Sequence, residues 1–442
     1  MSPPRIAVTP PGPRTRDLLK NDERFLSPSL KRVYPLAIER GRDCIIHDVD
    51  GNEYLDFNAG LSCLNVGHSH PAVTKSIAAQ LERFTHYSGS TFYYEVIVEL
   101  AQKICGITPG RFEKKIFFSN SGTEAVEAAI KLARWHYRRT NFLAYTNSSH
   151  GETFGSVSLS AHKLVERRYV APFMPGVVHV PYPYCYRCPF KLSCPDCDYE
   201  CVEFIREYIL ERVVSPDDVA AIIFEPIQAE GCIVAAPEYF SRLRKLADSK
   251  GIALIDDERE AGVGRTGRWF GIEHWEAAPD ILCISGGLAA GLPIGATLSR
   301  SEIMDWEPET HESIFGGNPL SCVAALATLD IIAKDDLLEN SARQGNYILK
   351  RLKEMGESYG IIGDVRGRGL MLGVEMVRDG KTKAPATKEA EHVLLGAFKR
   401  GVALRKSGST IMLSPPLTIK REHIDSGLAI LEGVLKEVSE TI

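Results

Sequence analysis

The stretch GIALIDDEREAGVGRTGRWFGIEHW, Gly251 to Trp275, decides the fold together with ILCISGGLAAGLPIGATLSR, Ile281 to Arg300. Each opens on an apolar run long enough for one buried strand and then turns polar and glycine-rich. Strands of a parallel sheet are covered on both faces, so they read as continuous apolar runs rather than alternating ones. In an open α/β sheet the ligand lies beyond the carboxyl ends of the strands. Asp256, Asp257 and Glu258 therefore arrive where a ligand would sit.

The length of 442 residues leaves room for roughly two to four domains. A hydrophobic share of 44% and a charged share of 25% are those of an ordinary soluble enzyme. The net charge of -5 gives no ground for a nucleic acid or an acidic membrane as partner. No apolar run reaches the ~18 residues that a membrane span needs. The opening MSPPRIAVTPPGPRTRDLL has no apolar core of signal-peptide type, so it reads as an extended basic arm. The expected compartment is the cytoplasm.

A second chemical feature lies at Ser121-Gly122-Thr123-Glu124, which opens a helix running to about Tyr137. Serine at the cap with an acid three residues on is a capping box. Free N–H groups and the positive end of the helix dipole make such a terminus an anion site. A plain capped helix is the competing reading. Further along, Asp48 to Asn58 reads as a hairpin turning at Asp50-Gly51. Asn141 to Ser158 reads as a strand, the loop NSSHGETFG and another strand.

With SNSGTEAVEAAIKLAR at Ser119 to Arg134, the chain resembles the class III aminotransferases that use pyridoxal phosphate, from about Leu36 to Pro416. Ornithine, acetylornithine and 4-aminobutyrate aminotransferases belong to that family. The resemblance implies the α/β architecture of fold type I pyridoxal-phosphate enzymes. A large domain, about residues 66–330, would hold a mainly parallel seven-stranded sheet. A smaller α/β domain would combine residues 1–65, which include the arm, with residues 331–442. It also implies a homodimer or dimer of dimers, an amino acid and a 2-oxo acid as substrates, and racemisable or ω-amino acids among the donors.

Carried over residue by residue, Gly122 and Thr123, next to Ser121, match the backbone that holds the cofactor phosphate. Asp257 matches the aspartate that bonds the pyridine nitrogen, keeping the ring protonated so that it accepts electrons. Glu225, in AAIIFEP, matches a glutamate beside the substrate, and His150 belongs to the His-Gly pair of the ring site. Other pocket positions depart. The lysine of the Schiff base is Gly286, and no lysine occurs from Gly251 to Ala333. The aromatic that stacks on the ring is Ser149, and an arginine after the His-Gly pair is Glu152. The aliphatic on the ring face is Arg259, and the glutamine at the ring hydroxyl is Glu260. The phosphate-binding threonine of the arm HESIFGGNPLS is Ile314, and the arginine that clamps the substrate carboxylate is Met412.

The flanks of these positions match, so the pattern reads as a kept scaffold with a changed pocket. Three readings follow. The chain is a scaffold that no longer transaminates, with pyridoxal phosphate non-covalent, weak or absent. Or it is an active aminotransferase or racemase using another lysine. Or the pocket serves a different ligand through Glu152, Arg259, Glu260 and His150. Arg259 is expected over the ring, or filling its space and paired with Glu260 or Glu152. Gly286→Lys is expected to return some Schiff base.

The cysteine count of 11 divides in two. Scattered cysteines read as small core residues. The rest lie in an insertion, about residues 181–201: Cys185, Cys188, Cys194 and Cys197 form two C-x-x-C pairs, with Cys201 beyond. That spacing allows a zinc or iron–sulfur site. Disulfides and reduced thiols are the rival readings.

Overall fold

A computed structural model describes residues 4–440. The chain opens with the helix Pro13–Phe25 and a meander of β1 (Ile38–Arg42), β2 (Ile45–Asp48) and β3 (Glu53–Asp56). The hairpin turns where its sequence said. Asp48 Oδ1 accepts the N–H groups of Asp50 and Asn52 at 2.9 and 2.8 Å, and Gly51 takes φ +89°, which favours a residue without Cβ. β3 then pairs in parallel with the short strand Val402–Ala403, so the two ends of the chain share one sheet.

Seven strands form the central sheet: β4 (Lys114–Ser119), β5 (Asn141–Tyr145), β6 (Val177–Val180), β7 (Val219–Phe224), β8 (Ala253–Asp257), β9 (Ile281–Ile284) and β10 (Gly295–Arg300). Their order is β4-β10-β9-β8-β7-β5-β6. Only β10 runs antiparallel to its neighbours. β8 sits at the centre and is buried along its whole length. Alternate residues supply the two faces. Ala253 and Ile255 pack with Ala125, Ala129 and Leu132 of the helix Gly122–Tyr137. Leu254 packs on the opposite side with Tyr239, Phe240 and Leu243 of the helix Tyr239–Lys250. Each fully buried Leu or Ile contributes roughly 1.5–3 kcal/mol, so a polar residue here must be at the strand end or be partnered.

The expected second strand near Ser158 is instead the helix Phe154–Leu159. Val157 and Leu159 alternate with serines, which mimics a strand period. Ser160 Oγ returns to the Ser156 carbonyl at 3.0 Å, and Ser158 Oγ to Phe154, so the serines satisfy a helical turn rather than a ladder.

A five-stranded sheet built from the later residues contains β11 (Ile362–Arg368), β12 (Met371–Asp379), β13 (Arg405–Ser407) and β14 (Thr410–Leu413), with Ala384–Pro385 on β12. Arg265, in AGVGRTG, ties it to the central sheet. Its side chain is wholly buried and donates to the carbonyls of Leu370 and Pro415 and, at 2.5 Å, to Asn65 Oδ1. Burial pulls its guanidinium down to about 10. Among the described residues no helix is long and apolar enough to cross a membrane.

Candidate active site

β8 delivers Asp257 at the carboxyl edge of the sheet, 2% exposed. Asp257 Oδ1 accepts from Arg259 Nε at 2.8 Å, and Oδ2 accepts from the same Nε at 3.0 Å and from His150 Nδ1 at 2.7 Å. Burial works to raise the carboxyl, but the charge of Arg259 and the His150 hydrogen bond outweigh it and hold Asp257 below the ordinary range. His150 is fully buried, and burial keeps its imidazole neutral against the pull of Asp257. With Nδ1 donating to Asp257, Nε2 is left without a hydrogen-bond partner among the described residues.

Arg259 has a different partner from the two expected of it. Arg259 lies in the turn that follows the strand end at Asp257, and its guanidinium folds back onto the carboxylate two residues earlier. It also donates to the Ser149 carbonyl. On the way, its side chain crosses the helix terminus: a Cβ built on Gly122 would lie 2.2 Å from Arg259 Cδ. Arg259 thus runs from the anion cradle of Gly122 to the carboxylate of Asp257. The cap itself is as read: Ser121 Oγ accepts from the Glu124 N–H at 3.3 Å, while the Glu124 carboxylate reaches back one residue further, to Asn120 N–H at 2.8 Å. Thr123 Oγ1 is occupied by Thr153 Oγ1 and Ser156 Oγ at 2.8 and 2.7 Å.

Gly286 follows β9 in a short turn pressed against the next loop. A Cβ there would meet the Arg259 carbonyl oxygen at 2.0 Å. Backbone does not yield as a side-chain tip does, so any larger residue needs the chain to move. The expected return of some Schiff base in Gly286→Lys therefore requires this backbone to move first.

Around this centre, Glu225 accepts from the N–H groups of Ser149 and Ala229, both at 3.0 Å. Burial and then the charge of Asp257 push it up to about 8, so it holds its proton at neutral pH. Glu260 pairs with Arg405 at 2.6 Å, and Arg405 reaches Glu230 at 3.4 Å. Arg405 was missed in the sequence. It lies directly across the β13–β14 ladder from buried Met412, so an arginine stands beside the position where the resemblance leads one to expect it. Only strand register reveals that. Glu152 and Ile314 are not drawn into the cluster within this chain; both are exposed.

The other face of the β8 end holds a second acid pair. Asp256 and Glu258 are 0% and 1% exposed. Neither Asp256 oxygen nor Glu258 Oε2 meets a donor among the described residues, while Glu258 Oε1 accepts from Ile272 N–H at 2.8 Å. Burial raises Asp256 well above its ordinary range and, against the Ile272 and Gly271 N–H groups, lifts Glu258 to about 7. Both acids therefore keep a proton to higher pH than a free carboxyl does.

In the cysteine insertion, all five thiols are free. Among the described residues no group of three or more His, Cys, Asp or Glu side chains is arranged to hold a metal ion.

Comparison with known proteins places the chain in a family. Residues 27–435 match Aminotransferase class-III, and the chain belongs to that family. It is 39% identical to the leucine/methionine racemase of Thermococcus litoralis, over 97% of each chain. It is 34% identical to a probable 4-aminobutyrate aminotransferase of Bacillus subtilis, over 94% of this chain and 96% of that one. Among solved structures, the amine transaminase from an uncultivated Pseudomonas species, in its PLP-bound internal aldimine form, superposes with a TM-score of 0.87 at 32% identity, covering 94% of this chain and 98% of that one. Pyridoxal phosphate is the cofactor expected of the family.

Two outcomes follow from this geometry. Unfolded, Glu258 loses its proton above 4.5; folded, it keeps it to about 7, so its contribution to stability is present at low pH and lost as pH rises through that window. Glu258→Gln keeps the Ile272 acceptor and removes the titration. Denaturant unfolding between about pH 5 and 8 should show a decline in stability shallower than that of the parent, by on the order of a few kcal/mol; parallel declines would refute the assignment. Second, Gly286→Ala should cost about 1–3 kcal/mol through forced backbone movement, and a variant as stable as the parent would show that position 286 has room.

Proposed function

We propose that this chain is a class III aminotransferase scaffold that does not carry out amino transfer or racemisation. The observation that carries the reading is the pairing of Arg259 with Asp257 in a pocket whose amine position is Gly286. In this family's chemistry the lysine amine provides covalent attachment and moves the proton at the substrate carbon. Without it, and with no lysine between Gly251 and Ala333, both functions lack a residue.

The residues present do not fit pyridoxal phosphate as the family holds it. The carboxylate that would bond the pyridine nitrogen already carries a guanidinium, a permanent cation in the place of the protonated ring nitrogen. Removing one partner from a buried ion pair costs about 3–5 kcal/mol. The lower end applies here, because the Arg259 side chain keeps 20% of its surface exposed. Ser149 offers no aromatic face, and the Thr123 hydroxyl is engaged. Binding is therefore weak and non-covalent. Glu225 stays protonated and His150 neutral, which leaves Asp257 and Arg259 as a mutually neutralised pair rather than an acid and a base.

The same reading takes the protein as a cytoplasmic homodimer. Its support is the segment HESIFGGNPLS, where Ile314 and Phe315 are 67% and 56% exposed, as they would be if a second subunit covered them.

The test is turnover with excess pyridoxal phosphate, using several amino donors with 2-oxoglutarate, and racemisation of the same amino acids. Neither should rise above background, and borohydride should fix no pyridoxyl group to the protein. Turnover in the ordinary enzyme range of roughly 1–10³ per second would mean that another residue supplies the amine, and would overturn the proposal.

A further inference from the structure

The insertion converges its thiols on one apolar cavity, lined by Cys185, Cys188, Cys194, Cys197 and Cys201. Of these, Cys185 and Cys194 alone also line the adjoining cavity of about 450 Å³, whose walls carry Asp364, Arg366 and Lys383. The Cys185 residue is exposed, and it shares the walls of both cavities with Cys194. A tetrathiolate metal site needs four sulfurs facing one point. Among the described residues no group of three or more is so arranged, and Cys185 and Cys194 are the two of the five that face both cavities.

The pair also joins two differently anchored segments. Around Cys185, Tyr184 and Arg187 both bond Glu375 of β12, and Lys383 donates to the Tyr186 carbonyl at 2.7 Å, which anchors this part to the five-stranded sheet. After Cys194, the Tyr199 hydroxyl accepts from Glu238 N–H at 3.2 Å, and Arg242 lies 4.4 Å over the Tyr199 ring. That part is anchored to the helix Tyr239–Lys250, which covers the central sheet.

We propose that Cys185 and Cys194 are a redox-active dithiol, closed by a peroxide to a disulfide that ties the five-stranded sheet to the helix layer of the central sheet. The exposed Cys185 thiolate attacks one peroxide oxygen, giving a sulfenic acid and releasing the other oxygen as water once protonated. The Cys194 thiolate then attacks the sulfenic sulfur and expels hydroxide, which leaves as a second water. Two thiols are oxidised by two electrons and one hydrogen peroxide is reduced to two waters. Although the residue as a whole is exposed, partial desolvation of its sulfur, and next Cys194, push the Cys185 thiol up to about 11. Thiolate is therefore scarce at neutral pH, and closure is slow.

The experiment treats the folded full-length protein with hydrogen peroxide, blocks the remaining thiols with N-ethylmaleimide and maps peptides by mass spectrometry. The expected product is a Cys185–Cys194 cross-link lacking two hydrogens, reversed by dithiothreitol. Cys185→Ser and Cys194→Ser should each abolish it, and Cys188→Ser should leave it. The parent map alone decides the matter if a variant fails to fold. Absence of a cross-link, preferential formation of another pair, or one equivalent of zinc protecting four of the thiols would each overturn the proposal.

Discussion

A carboxylate buried at the end of the central strand has to be partnered, and in this chain the partner is built in. Asp257 takes its cation from Arg259, two residues on, rather than from a ligand. Everything nearby conforms to that pairing. The Arg259 side chain lies along Gly122, where only a glycine leaves space, and its guanidinium caps the Ser149 carbonyl. Its own carbonyl bounds the space at Gly286. On the proposed reading, the arginine answers the electrostatic need that a protonated ring answers in the family, and the strand end would keep its partner without the cofactor.

The strand end is also crowded with acids. Asp256, Asp257, Glu258 and Glu225 are all nearly or fully buried. Arg259 neutralises Asp257, while burial raises the other three. A low-dielectric region tolerates such a cluster only by pairing charges or retaining protons. The arrangement stores pH sensitivity in the framework rather than in a catalytic group. Further out, Arg405 lies between Glu260 and Glu230.

Much of this was legible in the chain itself. Apolar runs buried on both faces marked β8 and β9, and Ser121 with Glu124 marked the capped helix. The departures from the resemblance could be named because their neighbours keep its pattern. What escaped depends on three-dimensional register. The pairing of Arg259 with Asp257, rather than with Glu260 or Glu152, is set by the turn after the strand end, which the sequence pattern does not encode. Arg405 opposite Met412 needs the antiparallel pairing of two short strands. The lack of room at Gly286 is set by a backbone carbonyl of another loop, which no local pattern encodes. The helix Phe154–Leu159 was read as a strand because serines alternating with apolar residues satisfy either period.

The central claim is that a guanidinium holds the place of the cofactor ring. The most direct measurement is a crystal structure of the protein grown with a large excess of pyridoxal phosphate. The account requires Arg259 to remain on Asp257, with no ring density between Gly122 and His150. A ring in that space, its nitrogen on Asp257 and Arg259 swung aside, would contradict it.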